Sequence, residues 1–210
     1  MSGISDVIVI GLTGQSGAGK TTVCDVFKDN GFIIINADLL SRQVMEKGNP
    51  CLNDVVEAFD NQILHEDGTL NRKKLASIVF TDKKKLNLLD SITYPYITAR
   101  ILEEIKIFSD KGEKLILLDA PTLFESRADD FCELIISVIA DEKILINRII
   151  ERDGITLEQA KNRLESQHDD AFYADNSDFI IKNNKNVDML RAKAKEVSDK
   201  IKEYYNAKEA

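Results

Sequence analysis

A short glycine-rich segment near the N-terminus restricts the fold of this chain more than any other feature. Residues Gly14 to Thr21 read Gly-Gln-Ser-Gly-Ala-Gly-Lys-Thr and match the pattern GxxxxGK[ST] at every fixed position. Glycines let such a loop turn its backbone N–H groups around a phosphate, and the helix that follows directs its positive end at the same anion. In this pattern Lys20 reaches the β- and γ-phosphates, and the Thr21 hydroxyl is a ligand of Mg²⁺.

The residues on either side of the loop predict the strand and the helix that this pattern requires. The β-branched run from Val7 to Ile10, which is followed by Gly11, is apolar on both faces, as in a central strand of a parallel sheet. From Lys20 apolar residues recur at helical spacing until Gly31, a natural helix stop, and Phe32 to Ile35 form a second apolar run. We therefore expect a strand–loop–helix–strand unit that binds a nucleoside triphosphate together with Mg²⁺.

The remaining apolar patterns predict an α/β fold with a helical insertion. Residues 38–109 show helical periodicities without a strong strand signal, and Pro50 and Pro95 are expected to separate their helices. Apolar runs then predict three more buried strands and a closing helix. These lie at 115–119, 134–140, 179–181 and, for the helix, from Val187 onward.

The segment 141–170 is predicted to form a helical lid between the fourth and fifth strands. Asp141 is expected to cap its first helix, and Thr156 to Gln159 form a capping box that opens the second. The expected architecture is a P-loop NTPase core with a five-stranded parallel sheet flanked by helices, a helical substrate-binding insertion and this lid. The core is assigned to residues 1–37, 110–140 and 171–210, the insertion to 38–109 and the lid to 141–170.

Composition excludes several other classes of protein. The net charge of −8 argues against broad electrostatic binding to nucleic acid or an anionic membrane, and no apolar run approaches the roughly 18–20 residues of a membrane span. Neither histidine has a partner at metal-ligand spacing, and the three cysteines, Cys24, Cys51 and Cys132, lie far apart, so we expect reduced thiols and no zinc site. The expectation is a cytoplasmic protein with small-molecule ligands, no nucleic acid, no membrane and no obligate protein partner.

Three classes of protein share the glycine loop. A GTPase switch needs DxxG, which the sequence after Asp119 lacks, and residues 184–188 resemble the guanine motif NKxD but are one residue too long, which favours a polar turn. An ATPase domain of a larger machine would bring modules for which 210 residues leave little room. A small-molecule kinase needs an acceptor pocket, a group beside the attacking hydroxyl and a basic lid, and the sequence has candidates for all three.

Two carboxylates follow predicted strands, at the edge where parallel sheets bind ligands. Asp38 comes after the second strand, where it could orient or deprotonate an acceptor hydroxyl or bind Mg²⁺; the alternative is an N-cap for the helix that begins at Leu39. Asp119 ends the third strand, where it could be a Mg²⁺ ligand; the alternative is a turn residue held by Pro121.

Five arginines are candidates for binding phosphate, because the planar guanidinium donates two parallel hydrogen bonds. Arg148 and Arg152 are four residues apart on one predicted helix face of the lid, and Arg163 follows the capping box. The alternative for these three is a solvated helix face. In the insertion, Arg42 and Arg72 are the basic residues expected near a second anionic ligand, and each alone could be a surface arginine.

Taken in order, these segments resemble the dephospho-coenzyme A kinase family over nearly the whole chain. Apart from the phosphate loop each matching block is short, but their order and spacing together are specific. The blocks are 11–14 leading into the loop, 36–42, 68–72 with 75 and 79–80, 119–125, 148–153, 159–167 and 177–183.

The resemblance implies ATP-dependent phosphorylation of the ribose 3′-hydroxyl of dephospho-coenzyme A, the last step of coenzyme A synthesis. It implies that Asp38 is the acceptor-side carboxylate and that Arg148 and Arg152 close over the nucleotide. Arg42 and Arg72, placed above near a second anionic ligand, are then expected to bind the acceptor. The nucleotide-binding residues that the resemblance implies are Gly14, Gly17, Ala18, Gly19, Lys20, Thr21, Thr22 and Asn183.

The sequence departs from the usual family pattern at a few positions. Tyr94 stands before Pro95 where the family usually has histidine, Thr122 replaces a leucine, Asn71 a frequent aspartate, and Lys185 stands near a usual glycine. These changes concern fine specificity rather than the class. The alternatives are a nucleoside monophosphate kinase, which shares the loop, the lid and the size, and a nucleotide-dependent regulatory or binding module.

Overall fold

A computed structural model describes residues 7–209, and the chain in it divides into two compact units. The first unit contains the segment up to Ile35 and the segment from Phe108 onward, and the second contains Asn36–Ile107. The predicted core also included residues 1–6 and 210, which lie outside the described residues.

A five-stranded parallel sheet forms the centre of the first unit. Its strands are β1 (Ile8–Gly14), β2 (Ile33–Asn36), β3 (Leu115–Asp119), β4 (Leu134–Ile139) and β5 (Phe179–Lys182). Their order is β2-β3-β1-β4-β5, so β1 lies in the middle, and all seven of its residues are buried. The predicted fold class, a parallel sheet flanked by helices, is confirmed.

β1 is longer than the apolar run predicts, because it continues past Gly11 as far as Gly14. Beyond Gly11, Leu12 is paired on both sides, with Asp119 and Ile136, and Thr13 is paired with Ser137 of β4. These two ladders extend the strand past its β-branched residues. The glycine-rich loop therefore starts directly at the C-terminal edge of the sheet.

Nine helices accompany the sheet in the described part of the chain. They are α1 (Lys20–Asp29), α2 (Ala37–Val44), α3 (Pro50–Phe59), α4 (Arg72–Val79), α5 (Lys83–Asp110), α6 (Glu142–Asp153), α7 (Leu157–Glu165), α8 (Asp170–Asp175) and α9 (Val187–Glu209). In the first unit, α1 packs against α9 within the main hydrophobic core. As predicted, Gly31 follows the end of α1. Its φ is +83°, and beyond it Phe32 N donates to Phe27 O at 3.1 Å.

The two lid helices start in different ways. At α7 the predicted capping box is present, because Thr156 Oγ1 accepts from Gln159 N at 3.2 Å and Gln159 Oε1 accepts from Thr156 N at 2.9 Å. At α6 Asp141 occupies the predicted N-cap position, but its side chain makes no capping hydrogen bond and accepts from Asn184 Nδ2 at 2.7 Å instead. The Asn184 Oδ1 atom accepts from Asp141 N at 2.8 Å, and this reciprocal pair turns the carboxylate away from the helix.

The second unit consists of helices around its own apolar core, to which Val55, Phe59, Ile63 and Val79 belong. Outside the end of β2, its β-structure in the described residues is one antiparallel bridge, from Leu64 to Leu70.

The two prolines of this unit behave differently. Pro50 begins α3, as expected of a residue without a backbone N–H. The expected break at Pro95 is wrong, since α5 runs through it for 28 residues. Thr93, Ile101 and Ile105 are buried on either side of the proline, and we attribute the continuity of the helix to this burial.

The start of α2 gives a testable result, because Asn36 Oδ1 accepts from Leu39 N at 2.8 Å and therefore caps the helix. The alternative that Asp38 is the N-cap is thus wrong; Asp38 is the second helical residue. We expect Asn36→Ala to lower the free energy of unfolding by about 1 kcal/mol, and Asp38→Asn to lower it less. Urea unfolding followed by circular dichroism checks this, and an equal or larger loss in Asp38→Asn would contradict the cap.

Candidate active site

The glycine-rich loop lies so close to its neighbours that two of its glycines have no room for a side chain. At Gly14, whose φ is +129°, a Cβ atom would lie 2.1 Å from the carbonyl oxygen of Val138 in β4. At Gly19, whose φ is +106°, a Cβ atom would lie 2.7 Å from Asn183 Nδ2. The positive φ angles and these close approaches explain why the motif needs glycine at both positions.

The inner side of the loop presents backbone donors. Among the described residues, the amides of Gly17, Gly19 and Thr21 donate no hydrogen bond to the protein, and α1 has no side-chain cap at Gly19. Lys20 Nζ lies at the start of the loop, where it donates to Gly14 O at 2.7 Å and Gln15 O at 3.3 Å. Converging amides, a helix N-terminus and an ammonium group form a binding site for an anion.

The two predicted Mg²⁺ ligands are brought near each other. Asp119 is half-buried at the end of β3 and is hydrogen-bonded to Cys24, which lies three residues after Thr21 on the same face of α1. Burial, and after it the charge of Asp119, raises the pKa of the Cys24 thiol, which stays protonated. A carboxylate and a hydroxyl are hard oxygen donors that fit Mg²⁺.

Two of the three lid arginines contact the loop. Arg148 Nη1 donates to Gly17 O at 3.3 Å and its Nη2 to Asn183 Oδ1 at 3.5 Å, and Arg152 Nη2 donates to Ser16 Oγ at 3.3 Å. These contacts turn both side chains toward the phosphate loop.

The third lid arginine is placed differently. Arg163 forms an ion pair with Asp153. Hydrogen bonds from Arg152 and from Arg163 hold the pKa of the Asp153 carboxyl well below its usual range. Arg163 therefore shares a carboxylate with Arg152 and fixes the end of α6.

Asn183, which directly follows β5, supports the glycine-rich loop. Its side chain is buried and donates from Nδ2 to Ala18 O at 2.7 Å. A cavity of about 480 Å³ lies beside it. The lining includes Ile180, Lys182, Asn184, Met189, Leu190 and Lys193.

The polar segment that follows Asn183 is a helix start. Asn186 Oδ1 accepts from Met189 N at 3.0 Å, in the first turn of α9. The side chain of Asn184 is paired with Asp141. Residues 184–188, which resemble the guanine motif NKxD, therefore form the polar turn that the sequence predicts, at the start of α9.

Sequence reasoning missed three side chains that hold the outer side of the loop. Gln167 Oε1 accepts from Ser16 N at 2.9 Å, and Gln15 Nε2 donates to Asp170 Oδ1 at 2.9 Å. Gln15 Oε1 also accepts from Ala140 N at 3.2 Å. Gln167 is the last residue of the segment 159–167 that resembles the family, but no spacing in the sequence connects it with Gln15 or Asp170.

The candidate acceptor residues belong to the second unit. Asp38 is exposed at the start of α2, and no hydrogen bond or ion pair to its carboxylate is present among the described residues of that unit. Arg72 Nη2 donates to Arg42 O at 3.1 Å, so these two residues are neighbours. Arg72 also lines a cavity of about 380 Å³ together with Lys47, Thr69 and Leu70.

Residues 7–209 contain no group of three or more histidine, cysteine or acidic side chains that is arranged to hold a metal ion. No helix in this range has the length and apolar character needed to cross a membrane. All three cysteines are free.

The sheet order, the amide-lined loop and the two arginines of α6 that contact it define the chain as a P-loop kinase by fold. A protein from Thermus thermophilus has the same fold, with a TM-score of 0.78 and 24% identity over 91% of this chain and 95% of that one. The structure of a dephospho-CoA kinase from Campylobacter jejuni is similar, with a TM-score of 0.69 and 28% identity over 92% of this chain and 96% of that one.

Sequence comparison identifies the family. The family model for dephospho-CoA kinase matches residues 8–188. A dephospho-CoA kinase from Listeria innocua is 38% identical over 95% of this chain and 98% of its own length, and one from Oryza sativa is 36% identical over 96% and 87%. The chain belongs to the dephospho-CoA kinase family.

The close contact at Gly19 predicts how the loop responds to a single added methyl group. We expect Gly19→Ala to weaken ATP binding roughly tenfold or more, because the new Cβ strains the backbone and displaces Asn183. Calorimetric titration with ATP and Mg²⁺ measures this. The matched control is Gly112→Ala, where φ is also positive, at +85°, but no atom lies within 4 Å. Unchanged ATP affinity in Gly19→Ala would contradict the assigned role of the loop.

Proposed function

We propose that this chain transfers the γ-phosphoryl group of ATP to the ribose 3′-hydroxyl of dephospho-coenzyme A, which completes coenzyme A synthesis. The observation that carries the proposal is the loop, whose amides and Lys20 face an anion site to which Arg148 and Arg152 are directed. Membership of the dephospho-CoA kinase family indicates the acceptor.

The donor nucleotide is bound by the loop from Gly14 to Thr22. The free amides and Lys20 bind the β- and γ-phosphates, and the cavity beside Asn183 accepts the base. Thr21 and Asp119 would hold Mg²⁺, which neutralises charge on the phosphate oxygens. Because the transition state of phosphoryl transfer is loose, positioning and electrostatic stabilisation matter more than the strength of a base.

Arg148 and Arg152 stabilise the charge that spreads over the equatorial oxygens of the transferred group. Arg148 lies at the loop on long hydrogen bonds to neutral acceptors, at 3.3 and 3.5 Å. Arg152 reaches Ser16 Oγ at 3.3 Å and is also paired with the Asp153 carboxylate, at 2.7 and 2.8 Å. Phosphate oxygens are charged acceptors and form shorter and stronger bonds with guanidinium groups. Both arginines are therefore assigned as catalytic residues.

Asp38 orients the acceptor hydroxyl, and Arg42 and Arg72 bind the phosphate groups of the acceptor. What supports Asp38 is its position two residues after β2, its exposure, and the fact that Asn36 rather than Asp38 caps α2. What supports the arginines is the contact between Arg72 and Arg42 O and the cavity beside Arg72, whose lining contains Lys47 as a second cation and one carboxylate, Glu46.

The acceptor is identified by one assay. ADP formation is measured with dephospho-coenzyme A, with each nucleoside monophosphate and with water as the only acceptor. We expect rapid turnover with dephospho-coenzyme A alone, because the family match covers both units of the chain. Turnover only with a monophosphate would identify a nucleoside monophosphate kinase, and slow ADP release with every acceptor would identify a regulatory module.

Kinetic measurements on variants test the roles assigned to the two charged residues Lys20 and Asp38. Lys20→Ala is expected to lower kcat roughly 10²–10³-fold, since it removes a donor to the transferred group. Asp38→Asn is expected to lower kcat about 10²-fold and to leave the KM for ATP nearly unchanged. Steady-state kinetics with both substrates checks this. Lys28→Ala on the same helix and Glu66→Gln, an exposed carboxylate of the second unit, are the controls. Near-normal kcat in Asp38→Asn would refute its assignment.

A further inference from the structure

Four aromatic rings meet between the segment after β3 and the start of α8, and the mechanism above does not use them. His168 stacks on Phe172 with ring centroids 3.6 Å apart and planes 11° apart, and Phe124 meets Phe172 edge-on at 5.1 Å. Tyr173 is buried, whereas the rings of Phe124, His168 and Phe172 are half-exposed. We call Phe124, His168 and Phe172 the aromatic shelf.

The shelf is fixed to one side of the phosphate loop. Gln167, which directly precedes His168, accepts from Ser16 N at 2.9 Å. Asp170, two residues after His168, accepts from Gln15 Nε2 at 2.9 Å. The aromatic shelf is therefore held next to the first residues of the loop by two hydrogen bonds that come from its own segment.

This side of the loop is the γ-phosphate side. Lys20 Nζ, which reaches the β- and γ-phosphates in this motif, lies on the carbonyl groups of Gly14 and Gln15. The cavity that suits the base of the donor lies at the other end, beside Asn183 and Ala18. A base that reaches the aromatic shelf thus belongs to the molecule that receives the phosphoryl group.

The chemistry of the aromatic shelf suits a purine. Stacked and edge-on rings present flat π-faces, and bases stack on such faces with a substantial gain in affinity. Glu125 lies at the rim, with its Oε1 atom 3.5 Å from His168 Nε2. A carboxylate at that place accepts hydrogen bonds from an exocyclic amino group, which adenine carries.

We propose that the aromatic shelf stacks against the adenine ring of the acceptor and so selects a nucleotide acceptor and aligns its ribose with the loop. This inference rests on the proposed function, because it assigns the acceptor base of that reaction. His168 and Phe172 are the stacking residues, and Glu125 reads the amino group.

A binding experiment tests the inference without turnover. The chain contains no tryptophan, so His168→Trp places a single indole on the aromatic shelf. We expect dephospho-coenzyme A to quench its fluorescence, and expect no quenching by ATP or by 4′-phosphopantetheine, which lacks the base. Phe172→Trp gives the same readout if the first variant does not fold. Quenching by ATP alone, or no quenching by dephospho-coenzyme A, would overturn the inference.

Kinetics provides the second readout. His168→Ala is expected to raise the KM for dephospho-coenzyme A roughly tenfold, with the KM for ATP nearly unchanged and His168→Phe close to wild type. The matched control is His65→Ala, at the other histidine of the chain, which is exposed. Equal changes in both KM values would show a structural role and overturn the inference.

The two proposals fail in different ways. Quenching by dephospho-coenzyme A without any turnover would refute the proposed function while supporting the aromatic shelf as a base site. Turnover of dephospho-coenzyme A with an unchanged KM in His168→Ala and with no quenching would refute the aromatic shelf alone.

Discussion

Backbone amides that point at no protein acceptor are the constraint around which the first unit is organised. Within the described residues, the N–H groups of Gly17, Gly19 and Thr21 donate to no protein acceptor, so these three amides do not help to hold the loop in shape. Such a loop keeps its shape only if its surroundings hold it. Gly14 lies against Val138, and Asn183 binds Ala18 O, so the neighbouring strands fix the carbonyl side and leave the amide side open.

The same constraint resolves the conflict between an acidic chain and anionic ligands. A net charge of −8 disfavours diffuse binding to long polyanions, but it does not oppose a small site in which amides, Lys20 and two arginines converge. Short-range, oriented donors act within a few ångströms, whereas the net charge acts over distances that salt screens. For binding a small anion, the local geometry of the site therefore outweighs the net negative charge of the whole chain.

The features that were predictable from the sequence are those with a local physical signal. β3 was predicted at its observed bounds because Leu115 to Leu118 are apolar on both faces, and the capping box at Thr156 has a fixed spacing. The contacts that support the loop were not predictable, since Gln167 is 151 residues from Ser16 and Asn183 is 165 residues from Ala18. Only the sheet order brings such residues together, and no periodicity encodes it.

Errors arose where two local rules competed. Asp141 and Asp38 are both reasonable helix caps, yet the cap of α2 is Asn36 and the Asp141 side chain pairs with Asn184. Pro95 should interrupt a helix, but α5 continues through it between buried residues. In each case tertiary or neighbouring contacts decided the outcome.

The second unit shows how this affects functional assignment. Because Asn36 takes the capping role, the exposed carboxylate of Asp38 is not required for the local stability of α2 beyond its favourable position near the helix N-terminus. A charged group that local structure does not need is a good candidate for a ligand contact. Arg72 differs, because its guanidinium already donates to Arg42 O at 3.1 Å and so has part of its donor capacity engaged. The guanidinium carries five N–H donors, so this contact can orient Arg72 while other donors remain for an anion.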